Sequence, residues 1–367
     1  MDSFQPSISL KGRGAVTDRC GRFEPETVEP VDDGWELDDS DPSPLHTEVT
    51  DETPRTIIAR NTSPDIPFDR SINPYRGCEH GCVYCFARPT HAYLGLSPGL
   101  DFERRLFAKP TPPALLEREL SKPGYKPRTV HLGANTDPYQ PIEKTRRISR
   151  GVLKVLAAFN HPLSITTKSA LICRDLDILG PMAERGLLSV AILVTTLERR
   201  LARALEPRAP TPERRLETIR AISGAGVPVA VMAAPMIPVL NDAELEGIME
   251  RAAETGASAA GYILLRLPLE IKDLFAEWLD AHAPDKAAHV LSQMRDARSG
   301  VLYERDFGTR MTGSGERAKL LKRRFDLACV RLSLTLARGE GYQMDASQFR
   351  QPAGALHPLA GNQLRLF

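Results

Sequence analysis

Short apolar runs rich in β-branched residues alternate along this chain with longer amphipathic stretches, the pattern of repeated strand and helix units that build a parallel sheet. Six runs are predicted strands. The first passes through Ser71, Ile72 and Asn73, and the others cover 129–132, 163–167, 189–195, 227–233 and 261–265. Between them, residues 147–159 and 212–225 are predicted helices, the second opened by Thr211 as N-cap ahead of Pro212. Each right-handed crossover returns the chain to a neighbouring parallel strand. Six such units curve into an α/β fold, a partial (β/α)6 barrel of the TIM type, with functional groups gathered at the carboxyl ends of its strands. From Pro268 onward the pattern is helical and includes a strongly basic stretch over 318–332.

The hydrophobic pattern fades toward the amino end. Residues 1–55 are rich in Pro, Asp, Glu and Ser, which predicts a disordered acidic tail. The folded part then starts near Thr56, with the barrel over 56–267 and a helical extension over 268–367. Charge sharpens that division. Twelve acids and no Lys or Arg lie between Glu24 and Glu52; without them 35 acids face 48 bases, so the net charge of +1 hides a body with a surplus of about +13. Such a tail could shield a polyanion-binding body, although a solvated tail with no regulatory role explains the composition more simply. No apolar run approaches the roughly 20 residues needed to cross a bilayer. The Met1 end also lacks a basic segment followed by an apolar one. Both observations predict a cytoplasmic protein with no membrane partner.

Six cysteines, Cys20, Cys78, Cys82, Cys85, Cys173 and Cys329, are too few for a disulfide scaffold in 367 residues, and three crowd together. Cys78, Cys82 and Cys85 have C-x3-C-x2-C spacing in the loop after the first strand. Three thiolates so spaced can wrap a [4Fe-4S] cluster and leave its fourth iron without a protein ligand. A cluster held by four cysteines suits electron transfer. An open iron can instead chelate the amino and carboxylate groups of S-adenosylmethionine (SAM), whose sulfonium bond is then broken to give a 5′-deoxyadenosyl radical. Gly77 and Gly81 let the loop turn tightly. The alternative is zinc, with His80 or His91 as fourth ligand. The motif's place after a strand in a βα repeat, with an aromatic just before its last cysteine, argues against it. Tyr84 and Phe86 are candidates to border the adenine, with core packing as the alternative for each.

With these residues in view, the chain resembles the radical SAM superfamily, and within it the branch related to spore photoproduct lyase, often labelled DNA repair photolyase-like. Beyond the cysteines, the resemblance rests on two stretches: residues 133–143, from Gly133 through Asn135, Thr136 and Asp137 to Glu143, and residues 206–215, from Glu206 to Arg215. It implies a partial barrel with the cofactor lying across its carboxyl-end face. By matched position, Asn135, Thr136 and Asp137 sit where the superfamily contacts the methionyl amino group. Lys168, Thr195 and Ala234 resemble the branch's positions for the carboxylate, ribose and adenine. One departure stands out. Spore photoproduct lyase has a hydrogen-donating cysteine just after the second strand, whereas residues 132–136 here read Leu-Gly-Ala-Asn-Thr. Cys173 or Cys329 would have to replace it, unless both are ordinary buried side chains.

Three functions follow as expectations. The first is radical chemistry on a nucleic-acid lesion, with Arg310, Lys319, Lys322, Arg323 and Arg324 as phosphate contacts on DNA or RNA. The second keeps the chemistry but takes a protein side chain, a tRNA or a small metabolite as substrate. The third is a non-catalytic iron-sulfur module that binds nucleic acid or senses redox state. Either enzymatic reading needs an electron donor such as a flavodoxin or ferredoxin.

Overall fold

A computed structural model of the chain describes residues 12–23, 46–337 and 344–352. Among these residues eleven strands occur: β1 (Glu48–Asp51), β2 (Ile58–Arg60), β3 (Arg70–Ile72), β4 (Tyr75–Arg76), β5 (Arg105–Ala108), β6 (Val130–Leu132), β7 (Leu163–Thr167), β8 (Leu188–Leu193), β9 (Val229–Met236), β10 (Ala259–Leu264) and β11 (Thr335–Leu336). The larger sheet runs β11-β10-β9-β8-β7-β6-β3-β2. Its six central strands, β3 and β6 to β10, are parallel and correspond to the six predicted from the apolar runs. β2 joins antiparallel at one edge and β11 parallel at the other. The two edge strands do not pair with each other, so the barrel is incomplete.

The apolar runs form strands because this sheet is covered on both faces. All three residues of β6 are buried, as are Leu163 and Ile165 of β7 and Val190, Ala191 and Ile192 of β8. The helix Ile148–Ala158 lays Val152, Leu153 and Leu156 on the sheet, and Pro212–Gly224 adds Leu216, Ile219 and Ile222. Each fully buried Leu or Ile contributes about 1.5–3 kcal/mol. Thr211 caps the second helix as expected, its Oγ1 accepting from the Arg214 N–H at 3.4 Å. Helices follow Pro268 as well: Ile271–His282, Pro284–Asp296 and Glu316–Arg331. Trp278, Phe275 and Val290 of the first two share a core with Val83, Tyr84 and Leu265, so they brace the cysteine loop.

The described residues add detail to two expectations. The tail predicted over 1–55 is structured where it is described. β1 pairs in parallel with β5, and Arg13, Ala15 and Val16 are buried. The segment 12–23 is held mainly by its backbone and by polar side chains, so it leaves no hydrophobic periodicity to read. The acids from Glu24 to Asp41 lie outside the described residues. Of the five basic residues singled out near the carboxyl end, Arg323 is exposed and the other four face carboxylates. Arg310 pairs with Asp65, Lys319 with Glu316 (2.5 Å), Lys322 with Asp326 (2.6 Å) and Arg324 with Glu246 (2.5 Å). Among the described residues no helix is long and apolar enough to cross a membrane.

Candidate active site

The cysteine loop follows β3 and is braced on every side. Cys78 N–H donates to Phe102 O (2.9 Å), Val83 N–H to Leu205 O (3.1 Å), and Gln140 clamps the turn by accepting from Glu79 N–H and donating to Gly77 O. Arg88, fully buried, donates to Cys82 O at 2.8 Å and pairs with Glu103. The Glu103 carboxylate also accepts from Gly14 and Ala15 N–H at 3.0 and 2.8 Å, which ties the segment 12–23 across the loop. Gly81 has φ +68°, and a Cβ there would meet Glu103 Oε2 at 2.8 Å. A Cβ on Gly14 would fall 1.7 Å from Gly81 O, so only glycine permits the strap this close to the loop.

Cys78, Cys82 and Cys85 open onto one cavity of about 290 Å³ at the carboxyl ends of the parallel strands. Its wall runs from Gly133 to Asp137 after β6, through Thr166 on β7, Lys168 just after it and Leu193 on β8, to Ala234 on β9 and Ile263 on β10. Phe68, Phe86 and His131 add flat apolar surface. His131 stacks on Phe68, with ring centroids 4.1 Å apart and planes 5° apart, and burial holds its pKa down at about 3. Burial pushes all three thiols up, Cys82 to about 11 despite the opposing pull of the Lys168 ammonium 3.0 Å away. Thiolates this buried need a bound cation to persist, as metal coordination provides. Among the described residues no group of three or more His, Cys, Asp or Glu is arranged to hold a single ion. Zinc demands such convergence, with all ligands within about 2.0–2.3 Å of one point, whereas a cubane takes each thiolate at a different iron. His91 Nε2 lies 3.0 Å from Arg105 O, and His91 does not line the cavity.

A buried ionic network stands behind the thiols. Glu206, at 1% exposure, takes Lys168 Nζ at 2.9 Å and Thr195 Oγ1 at 2.7 Å, and pairs with Arg215 and Tyr84 OH. Burial would raise the Glu206 pKa, but Arg215 and Lys168 hold it far below the usual carboxylate range. Asp137 behaves alike: burial opposes its charge, yet His80 at 3.4 Å and hydrogen bonds from Thr167 Oγ1 and Lys168 N–H keep it at about 2.

The structure brings Tyr84, Phe86, Asn135, Thr136, Asp137, Lys168 and Ala234 to the cavity wall together with the three cysteines. Thr195 stands behind the wall, fully buried, its hydroxyl bonded to Glu206 and Ala234 O. Cys173 and Cys329 do not line the cavity; both pack against the main core. Sequence reasoning gave no role to Arg13, Gly14, Arg88, Glu103, Glu206, Arg215 or Arg266. The signal for Glu206 and Arg215 was an acid and a base flanking a capped helix start, which exposed pairs also produce.

Residues 72–252 match the Radical SAM family, described as the Radical SAM superfamily. The uncharacterized protein Rv2578c of Mycobacterium tuberculosis is 40% identical over 222 residues, 60% of this chain and 65% of that protein. The uncharacterized protein MJ0683 of Methanocaldococcus jannaschii is 28% identical over 173 residues, 47% of this chain and 62% of that protein. The chain thus spans less than two thirds of these relatives' length. Among solved structures, a spore photoproduct lyase mutant superposes with a TM-score of 0.57 at 16% identity, covering 79% of this chain and 82% of that one. A second, with bound AdoMet and dinucleoside spore photoproduct, covers the same shares with a TM-score of 0.56 at 16% identity. At that identity the likeness is one of fold. The family implies a [4Fe-4S] cluster and SAM, and Cys78, Cys82 and Cys85 are the residues here that would hold the cluster. Residues 72–252, just under half of the chain, therefore match the radical SAM superfamily, on a fold like that of spore photoproduct lyase.

Proposed function

We propose that this protein is a radical SAM enzyme acting on a nucleic-acid lesion. The observation that carries the reading is the meeting of the buried Cys78 and Cys82 thiols and the half-buried Cys85 thiol with Asn135, Thr136, Asp137 and Lys168 around one cavity at the carboxyl rim. Bound there, a [4Fe-4S] cluster with SAM supplies a 5′-deoxyadenosyl radical for hydrogen-atom abstraction. The chain's own residues do the rest. The braced loop holds the thiols in place before any metal arrives, and the Lys168 ammonium offsets thiolate charge at Cys82. Asp137, kept ionised by its donors, offers a fixed anion for an ammonium group such as the methionyl amine. Phe68, Phe86 and His131 keep water from a reactive radical and suit the stacking of a base.

Support for a nucleic-acid substrate comes from the shared fold, since a spore photoproduct lyase structure holds a dinucleoside lesion. A base would have to leave its stack to reach the cavity. With no cysteine among residues 133–137, the hydrogen returned to the product comes from a different donor than in that enzyme. A flavodoxin or ferredoxin is the proposed reductant. The test is anaerobic reconstitution with iron and sulfide, reduction, and assay of 5′-deoxyadenosine release with ultraviolet-irradiated DNA, unirradiated DNA and no DNA. The reading expects the irradiated DNA to raise the rate. Equal rates in all three arms would overturn it and leave a protein, tRNA or metabolite substrate, or a non-catalytic module.

A further inference from the structure

The cavity wall carries one cation with no carboxylate partner among the described residues. Arg266 lies two residues past the end of β10, and its guanidinium sits 5.4 Å over the Phe86 ring. Its hydrogen-bonding contacts are long: Nη1 is 3.5 Å from Met311 Sδ and Nη2 is 3.5 Å from Tyr303 OH. Nε is buried and has no hydrogen-bond partner. The other charged groups of the wall are matched: Asp65 by Arg310, Lys168 by Glu206, and Asp137 by His80 and three hydrogen-bond donors. Charge behind Arg266 deepens the imbalance. Arg298, fully buried, faces Glu304 at 3.6 Å, and burial together with the field of Arg266 brings its pKa down to about 10. Glu304 is paired with Arg298, so Arg298 brings no carboxylate to Arg266 and leaves a second guanidinium behind it.

A sequestered donor on a cation is costly to leave unmade and is retained where a ligand completes it. A guanidinium edge also matches a two-oxygen anion better than any other side chain does. We propose that Arg266 is the substrate's anion receptor, engaging a phosphodiester through Nε and its guanidinium edge while the neighbouring base stacks near Phe86. This assignment rests on the nucleic-acid reading above. It places the phosphate contact at the cavity mouth rather than on the helix Glu316–Arg331, whose Lys319, Lys322 and Arg324 already face carboxylates.

The test is calorimetric binding to the full-length, cluster-loaded protein, with a thymidylyl dinucleotide, its uncharged methylphosphonate analogue, inorganic phosphate and SAM as separate titrants. Arg266→Gln is compared with Arg266→Lys, which keeps the charge and guards against misfolding. The wild type is expected to prefer the phosphodiester to its neutral analogue about ten- to a hundredfold. Gln should abolish that preference, Lys should keep part of it, and SAM affinity should stay unchanged in both. A wild type that binds the dinucleotide with a preference Gln leaves intact overturns the proposal while the nucleic-acid reading stands. Phosphate binding that is lost in Arg266→Gln, with no dinucleotide bound by the wild type, supports the anion receptor and removes the nucleic-acid substrate. Loss of SAM affinity assigns the arginine to the cofactor and overturns the proposal, as does a wild type that binds none of the anions.

Discussion

Replacing Glu206 by Gln tests whether the network behind the thiols is as consequential as its burial implies. The change keeps the shape of the side chain but removes the charge that Lys168 and Arg215 share, both of them buried. It also puts an amide NH2 donor where a carboxylate oxygen accepts, facing either Arg215 or the three donors Lys168, Thr195 and Tyr84. Breaking a buried pair and leaving its partner uncompensated costs about 3–5 kcal/mol. At about 2–4 °C per kcal/mol, thermal unfolding of the metal-free protein should come roughly 6–20 °C earlier. Adding Lys168→Met should recover part of that loss, because it removes an uncompensated cation. The carboxylate's pKa is depressed relative to its ordinary 4.5, so its contribution is fully present above that pH and is lost as pH falls below it. The wild type should therefore lose more stability than the variant below pH 4.5. Differential scanning calorimetry at pH 7 and pH 4 measures both effects. A Glu206→Gln variant that melts with the wild type at pH 7, or losses that simply add in the double variant, would show that the Glu206 charge does not hold the network together.

Gly14→Ala should free the segment 12–23 from the cysteine loop, since the added methyl falls 1.7 Å from Gly81 O; limited proteolysis should then cut near Arg13 and Arg19 faster than in the wild type. His131, held neutral with a pKa near 3 by burial, contributes stability that is intact above its ordinary value of 6.5 and lost as pH falls toward 3. His131→Gln should accordingly flatten the stability-versus-pH curve across that window, as read by urea denaturation. Asp137→Asn removes an anion held at about 2 and should weaken SAM binding about ten- to a hundredfold, with iron content unchanged in a metal assay.

The barrel was legible because a sheet covered on both faces writes itself as apolar runs. β7 falls on residues 163–167 as expected, and the helix after Thr211 starts at its cap. The thiols were legible because their ligand spacing is local. The network was not, since Lys168 and Glu206 are 38 positions apart and only the barrel closes that distance. The strap over 12–23 was missed for a related reason: it is bound through the N–H groups of Gly14 and Ala15, which no side-chain pattern reports. The ion pairs of the basic stretch are local. Its partners Glu316 and Asp326 lie three and four positions from Lys319 and Lys322, spacings at which helical side chains meet.

The proposed radical chemistry requires Cys78, Cys82 and Cys85 to hold a cluster with one iron open to SAM. The direct measurement is 5′-deoxyadenosine formed from SAM by the anaerobically reconstituted, dithionite-reduced protein, beside a Cys82→Ala variant carried through the same steps. The expected result is release of the nucleoside by the wild type and none by the variant. No release from a wild type with four irons bound, or equal release from the variant, would contradict it.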